Sequence, residues 1–192
     1  MKFFYKLLKL MKSLIIVDLE WTSWRNNEKK KIRKRWQKRE IIQIGAIKVN
    51  NKYKITNKLN IFVKPKFNPI LSNYIKKLTH ITQKKIDKDG VDFNVAYKKF
   101  IKFSKNTKII SNGNDGVIFN KNLKYYKLKK KIKVKDLRPL FLNKYKIPEK
   151  FCKSYLIHSF FGYTLNKNHS HDAVQDCKCV LKALKSLRFK IN

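Results

Sequence analysis

Along the chain the first regular pattern of apolar positions is residues 13–22, SLIIVDLEWT, where four apolar residues, three of them β-branched, run into Asp18 and Glu20. A short β-branched run of this kind predicts a buried strand. Residues 40–50 (EIIQIGAIKVN) and 54–64 (KITNKLNIFVK) predict two more, with Asn50-Asn51-Lys52 as the turn between them. Pro65 and Pro69 end this strand-rich part. From residue 70 the apolar spacing lengthens: 70–78 and 82–88 predict short helices, and 92–103 a clearer one with Phe93, Ala96, Phe100 and Phe103 on one stripe. Residues 108–111 (KIIS) predict a fourth strand, which leads through Asn112-Gly113-Asn114-Asp115-Gly116 into a helical run at 117–126. A last edge strand is expected at 132–135, helices at 137–144 and 149–161, and a polar loop at 162–170. Residues 171–187 close the pattern as an amphipathic helix, with Ala173, Cys177, Val180, Leu184 and Leu187 on one face. Strands first in series and then alternating with helices predict an α/β domain, and neither an internal repeat nor a domain boundary interrupts it.

At 192 residues and 23.1 kDa the chain fits one domain. A hydrophobic share of 43% with 13% aromatics excludes a disordered basic tail. The net charge of +36 points to a polyanionic partner, most simply nucleic acid. Only six of the 48 basic residues are Arg, and Asn, Ile, Tyr and Phe abound where Gly is scarce. That composition matches AT-rich coding, so charge supports nucleic-acid binding without establishing it. Nine basic residues crowd 25–39 (RNNEKKKIRKRWQKR), with Trp36 inside the run and Trp24 just before it. Aromatics among cations can stack bases while the cations hold phosphates. A solvated hairpin extension whose Trp packs on the sheet edge gives the same pattern. Residues 1–11 (MKFFYKLLKLM) read as a basic amphipathic extension without the cleavage site of a signal peptide, and Met11 is an alternative start. Cys152, Cys177 and Cys179 lack metal-type spacing and suit buried thiols in a reducing cytosol, so a cytoplasmic location is expected. No stretch approaches the ~20 apolar residues of a membrane-spanning helix.

Candidate chemistry starts on the first strand. Alternate strand residues face the same way, so Asp18 and Glu20 share a face about 6–7 Å apart. Two like charges at the end of a core strand repel and resist burial. A divalent cation between them reverses that cost, because hard oxygen ligands suit Mg²⁺ and Mn²⁺. A strand that has merely reached solvent would show the same two residues. Asp176 lies three after Ala173 and four before Val180, on or beside the apolar stripe of the last helix, where an unpaired carboxylate is expensive. His171, five residues earlier, could reach the same place with a titratable base, or the pair could be a capping Asp172 followed by a salt-bridged Asp176. Asp115 at the start of its helix would equally suit simple N-capping.

Taken together, Asp18-x-Glu20, Asp115 and His171-x-Ala173-x-x-Asp176 resemble, in order and placement, the three motifs of the DEDDh 3′→5′ exonucleases. Residues 78–83 (LTHITQ) resemble the LTGIT-type segment of the ribonuclease T and enhanced-RNAi branches, 65–71 (PKFNPIL) the latter, and 18–22 (DLEWT) the DLEMT of oligoribonuclease. The resemblance spans residues 12–187, leaving 188–192 as a tail. It implies a ribonuclease H-like single domain with a mixed five-stranded sheet flanked by helices. It further implies two Mg²⁺ ions, replaceable by Mn²⁺: Asp18, Glu20 and Asp176 hold one, and Asp18 with Asp115 the other. His171 is then the general base. Leu19, Trp21 and Thr22 would contact the terminal nucleotide, with Asn112 and Trp36 as further substrate contacts. The implied reaction removes nucleotides from single-stranded 3′ ends, with RNA favoured over DNA. Three departures bear on the substrate: His80 replaces the Gly of LTGIT, which implies a shifted backbone; the 25–39 insertion is long and basic; and Asn114 stands where an aromatic is common.

Three other readings compete. A polymerase-associated proofreading exonuclease shares the chemistry and differs in partner. A catalytically silent RNA-binding relative has no reason to keep all four carboxylates. A phosphohydrolase read from His171-Asp172 belongs to all-helical domains, which the strand-rich first half contradicts.

Overall fold

The computed structural model describes residues 13–25, 36–165 and 171–191. Its centre is strand β1, Ser13–Trp21, buried along nearly its whole length. On one side β2 (Ile41–Asn50) pairs with it, and β3 (Ile55–Phe62) pairs with β2, both antiparallel. On the other side β4 (Lys108–Ser111) and β5 (Val134–Asp136) run parallel, giving the order β3-β2-β1-β4-β5. A central strand covered on both faces reads as a continuous apolar run rather than an alternation, which accounts for the form of residues 14–17.

Among the described residues five α-helices cover the sheet: α1 (Asn73–Thr79), α2 (Gln83–Asp89), α3 (Phe93–Ser104), α4 (Asp115–Tyr125) and α5 (Ala173–Ser186). Successive β1 residues sort into two cores. Ile15, Val17 and Leu19 join Phe93, Phe100 and Phe119 of α3 and α4. Each fully buried Phe there contributes about 1.5–3 kcal/mol over exposure. Leu14 and Ile16 join Cys177, Val180 and Leu184 of α5. By the same alternation Asp18 and Glu20 continue the α5 face.

Several expected elements move. The second-half helices at 137–144 and 149–161 are a π-turn, Leu140–Lys144, and two 3₁₀ segments, Glu149–Phe151 and Ile157–Phe161. Pro139 and Pro148 stand at two of their starts, where the missing N–H breaks a continuous ladder. The edge strand begins two residues later than expected, at Val134. The last helix starts at Ala173 with Asp172 as its cap, accepting from the amides of Val174 (3.0 Å) and Gln175 (2.9 Å). His80 closes α1 in the left-handed conformation, φ 59°. A Gly would adopt that turn without strain, and here a side-chain-bearing residue occupies it. The 1–11 extension and residues 26–35 of the basic insertion lie outside the described residues.

The entry to β2 is fastened by a buried acid that sequence reading passed over. Glu40 is 0% exposed, and its carboxylate accepts from the amides of Lys66 (2.7 Å), Phe67 (3.0 Å) and Asn68 (2.6 Å) and from the Tyr126 hydroxyl (3.0 Å). Removing it strands those donors in the interior. Glu40→Ala is therefore expected to destabilise the fold by about 3 kcal/mol or more, read as a lower urea midpoint; an unchanged midpoint would mean that water replaces the carboxylate there.

Candidate active site

The site lies at the end of β1, where three elements bring acids together. Gly45 of β2, paired with Asp18, is what lets α5 approach. A Cβ on Gly45 would come within 2.4–2.6 Å of Ala173. The contact is close enough for the Cys177 thiol to donate to the carbonyls of Ile16 (3.4 Å) and Gly45 (3.5 Å). One turn of helix thereby sets Asp176 against the strand that carries Asp18 and Glu20. Asp115 arrives from the other side, in the first turn of α4, with Asn114 in the cap position. Instead of capping its own helix, its carboxylate accepts from the Leu19 amide of β1 at 3.0 Å. The N-capping alternative for Asp115 is thus overturned: Asn114 holds the cap position, and the Asp115 carboxylate bonds the β1 backbone.

Asp18, Glu20, Asp115 and Asp176 are all buried, at 8, 7, 5 and 3% exposure. Ligand atoms of Glu20, His171 and Asp176 lie within 4.8 Å of one another. His171 precedes the helix with φ 61°, and its Nδ1 is 3.9 Å from Glu20 Oε1. The Tyr155 ring packs on the imidazole with 4.8 Å between centroids. A cleft of about 480 Å³ opens over these groups, also lined by Trp21, Trp24, Arg39, Asn112, Arg138, Lys153 and Ser154.

Burial is the first cause that lifts all four carboxyls. It holds Asp18 well above the usual range, reinforced by Asp115, Asp176 and Glu20 and opposed by a hydrogen bond with Ser154. Glu20 rises likewise through burial and then Asp176, Asp115 and Asp172. Asp115 is raised to about 6, with its backbone hydrogen bonds and Arg138 working against burial. Asp176 is raised to about 8, by burial and then Asp172. Asp176 Oδ1 is buried and has no hydrogen-bond partner. Crowded buried acids with an unpartnered oxygen are the donor set that hard divalent cations take, so the residues present fit such ions.

Carboxyls whose folded pKa exceeds the unfolded value bind more protons in the folded state, so stability falls as pH rises. The metal-free protein should therefore lose melting temperature from about pH 4, the ordinary range of an unfolded carboxyl, up to about pH 8, the raised Asp176 value, with Asp115, raised to about 6, contributing in the lower part. Mg²⁺ or Mn²⁺ should offset the loss, most strongly at the upper end. A melting temperature in EDTA that climbs over this range would contradict the clustering of ionised acids.

The expected substrate contacts divide. Trp21 and Asn112 border the cleft. Asn112 also donates to the Cys152 carbonyl at 3.2 Å, tying the β4 loop to the segment that brings Ser154. Leu19 borders it too, with its side chain in the α3–α4 core. Thr22 is a correction. It is 2% exposed, and its hydroxyl donates to the Lys38 carbonyl (2.7 Å) and accepts from the Glu40 amide (2.9 Å), so it joins β1 to β2 rather than facing the cleft. Trp36 does not line the cleft but packs edge-on against Trp24, 5.3 Å between centroids. Ser154, Tyr155, Arg39 and Arg138 escaped sequence reading. Rarity was the signal for the last two, since a chain with six Arg among 48 basic residues places both at this cleft. Arg138 donates to the Asn112 carbonyl at 3.0 Å and sits where a Cβ on Gly113 would collide with it.

The exonuclease family model matches residues 15–184. ERI1 exoribonuclease 2 of Xenopus laevis is 32% identical over 88 residues, 45% of this chain and 12% of that protein. The PolC-type DNA polymerase III of Caldanaerobacter subterraneus subsp. tengcongensis is 36% identical over 141 residues, 72% of this chain and 10% of that protein. The chain thus spans about a tenth of the length of these relatives. The nuclease domain of 3′hExo, a DEDDh family member with bound rAMP, superposes with a TM-score of 0.74 at 23% identity, covering 93% of each chain. With the family model running from β1 into the last turn of α5, the chain belongs to the exonuclease family, and its fold is that of the 3′hExo nuclease domain.

Proposed function

We propose that this protein is a metal-dependent 3′→5′ exonuclease that removes nucleotides from single-stranded nucleic acid, RNA in preference to DNA. The observation that carries the reading is the meeting of four buried carboxylates and His171 in one cleft. Exonucleases of this family depend on divalent metal. Two Mg²⁺ ions, with Mn²⁺ as substitute, fit Asp18, Glu20, Asp115 and Asp176, and when bound such ions activate the attacking water and stabilise the departing oxygen. The chain's own residues do the rest. His171 takes the proton of that water on its imidazole, held in place by the Tyr155 ring. Ser154 and the Leu19 amide orient Asp18 and Asp115. Arg39, Arg138 and Lys153 at the rim attract the phosphate backbone. Trp21 and Asn112 border the place of the terminal nucleotide.

The RNA preference draws on the exoribonuclease relatives and on the rAMP held by the 3′hExo nuclease domain. The PolC-type match keeps one second reading in view, a proofreading activity on DNA beside a polymerase. No described helix is long and apolar enough to cross a membrane, and the three free cysteines suit work in a reducing cytosol. Matched RNA and DNA oligonucleotides with open or blocked 3′ ends test the proposal. Mononucleotide release from open ends, faster on RNA, is expected; equal cutting of blocked ends would contradict it, and faster cutting of DNA would favour the proofreading reading.

A further inference from the structure

Beside the catalytic cleft the chain displays aromatic surface that neither the core nor the chemistry uses. Trp24 lines the cleft and is half-buried, and Trp36 stands against it edge to face at 5.3 Å with 53% of its surface exposed. Two residues on, Lys38 sets its ammonium 3.4 Å over the ring of Phe67, itself 39% exposed. Strong supports hold these groups in place. Asn68 donates to the Trp36 carbonyl at 3.1 Å and accepts from the Lys38 amide at 3.2 Å. Ser72 donates to the Ser23 carbonyl at 2.6 Å, pinning the chain just before Trp24. The Glu40 carboxylate fixes the Phe67 and Asn68 amides beneath. Large aromatic faces are seldom left in water with this much backbone fastening unless something covers them.

We propose that Trp24, Trp36 and the Lys38–Phe67 pair form a stacking wall for the nucleotides that follow the 3′-terminal one, so that substrate is gripped beyond the reacting residue. The wall rests on the reading of single-stranded nucleic acid as the substrate. Its occupant is set by continuity and charge: the aromatic surface begins inside the cleft, its exposed faces match unpaired bases, and a cation lies on it in a chain of net charge +36. Stacking tolerates any base because each has a π face. The wall therefore selects for unpaired strand and for length, not for sequence. A duplex end, whose bases are already stacked on each other, gains nothing from it.

The test uses the full chain in EDTA, so that binding is read without cleavage, with a 5′-fluorescein 12-mer of oligoadenylate followed by anisotropy over a salt series. Trp36→Ala is expected to weaken binding by about tenfold at every salt concentration, leaving the slope of log K on log salt unchanged, because stacking releases no counterions. Trp36→Phe should recover most of the loss, which a merely structural role for the indole would not allow. A Trp36→Ala protein that binds like wild type overturns the wall, and so does a loss that appears only as a shallower salt slope. The outcome is separate from the catalytic reading: wild type that binds the 12-mer through Trp36 yet never shortens it in Mg²⁺ would sink the exonuclease proposal and leave the wall standing.

Discussion

Asp18→Asn is expected to lower the cleavage rate by about three orders of magnitude or more, since the charge stabilisation lost with a bound cation amounts to several kcal/mol. Asp18 sits between the other acids: burial, Asp115, Asp176 and Glu20 all raise its carboxyl. The same crowding gives the substitution a second, opposite consequence. An amide at position 18 removes one buried negative charge, so the metal-free variant should be at least as stable as wild type at neutral pH. Affinity for single strands should hold or rise, because the phosphate backbone meets less repulsion. Single-turnover cleavage, urea melts in EDTA and anisotropy separate the three effects. A variant that keeps more than about a tenth of the wild-type rate would contradict an essential role for Asp18.

His171→Ala should lose about two to four orders of magnitude in rate, the range for a general base, while metal binding is largely kept. His171 lies in the left-handed turn before α5, 3.9 Å from Glu20 and under the Tyr155 ring. His169, two residues earlier, lies outside the described residues and lacks the five-residue spacing to Asp176. His169→Ala should therefore lose little. A neutral imidazole is needed to accept a proton, so wild type should show an acid limb in its pH–rate profile. With metal saturating, that limb should flatten in His171→Ala. If His169→Ala proved the more damaging of the two, the assignment of the base would fail, and the register of the last motif with it.

Much of this site was legible because strand and helix periodicity carry it. The step from Asp18 to Glu20 puts both on one face of β1, and the spacing around Asp176 puts it on the buried stripe of α5. What escaped depends on tertiary approach. The hydroxyl of Thr22 looks like a substrate contact in DLEWT, yet the chain turns after Trp21 and the hydroxyl closes the β1–β2 joint. Ser154 and Tyr155 sit in a short irregular stretch between 3₁₀ segments, where no period marks which side chain turns inward. Glu40 read as the polar first residue of a strand, and only the folding back of residues 66–68 reveals the nest of amides it fills. Gly45 gave no signal either, because a glycine required by a crossing helix looks like any glycine in a strand.

The most direct test of a metal-dependent 3′→5′ exonuclease is incubation of the full chain with 5′-labelled single-stranded RNA in Mg²⁺ and, in parallel, in EDTA. A ladder that shortens one nucleotide at a time from the 3′ end in Mg²⁺, and intact RNA in EDTA, is the predicted result. Internal fragments, shortening from the 5′ end, or the same ladder in EDTA would contradict it.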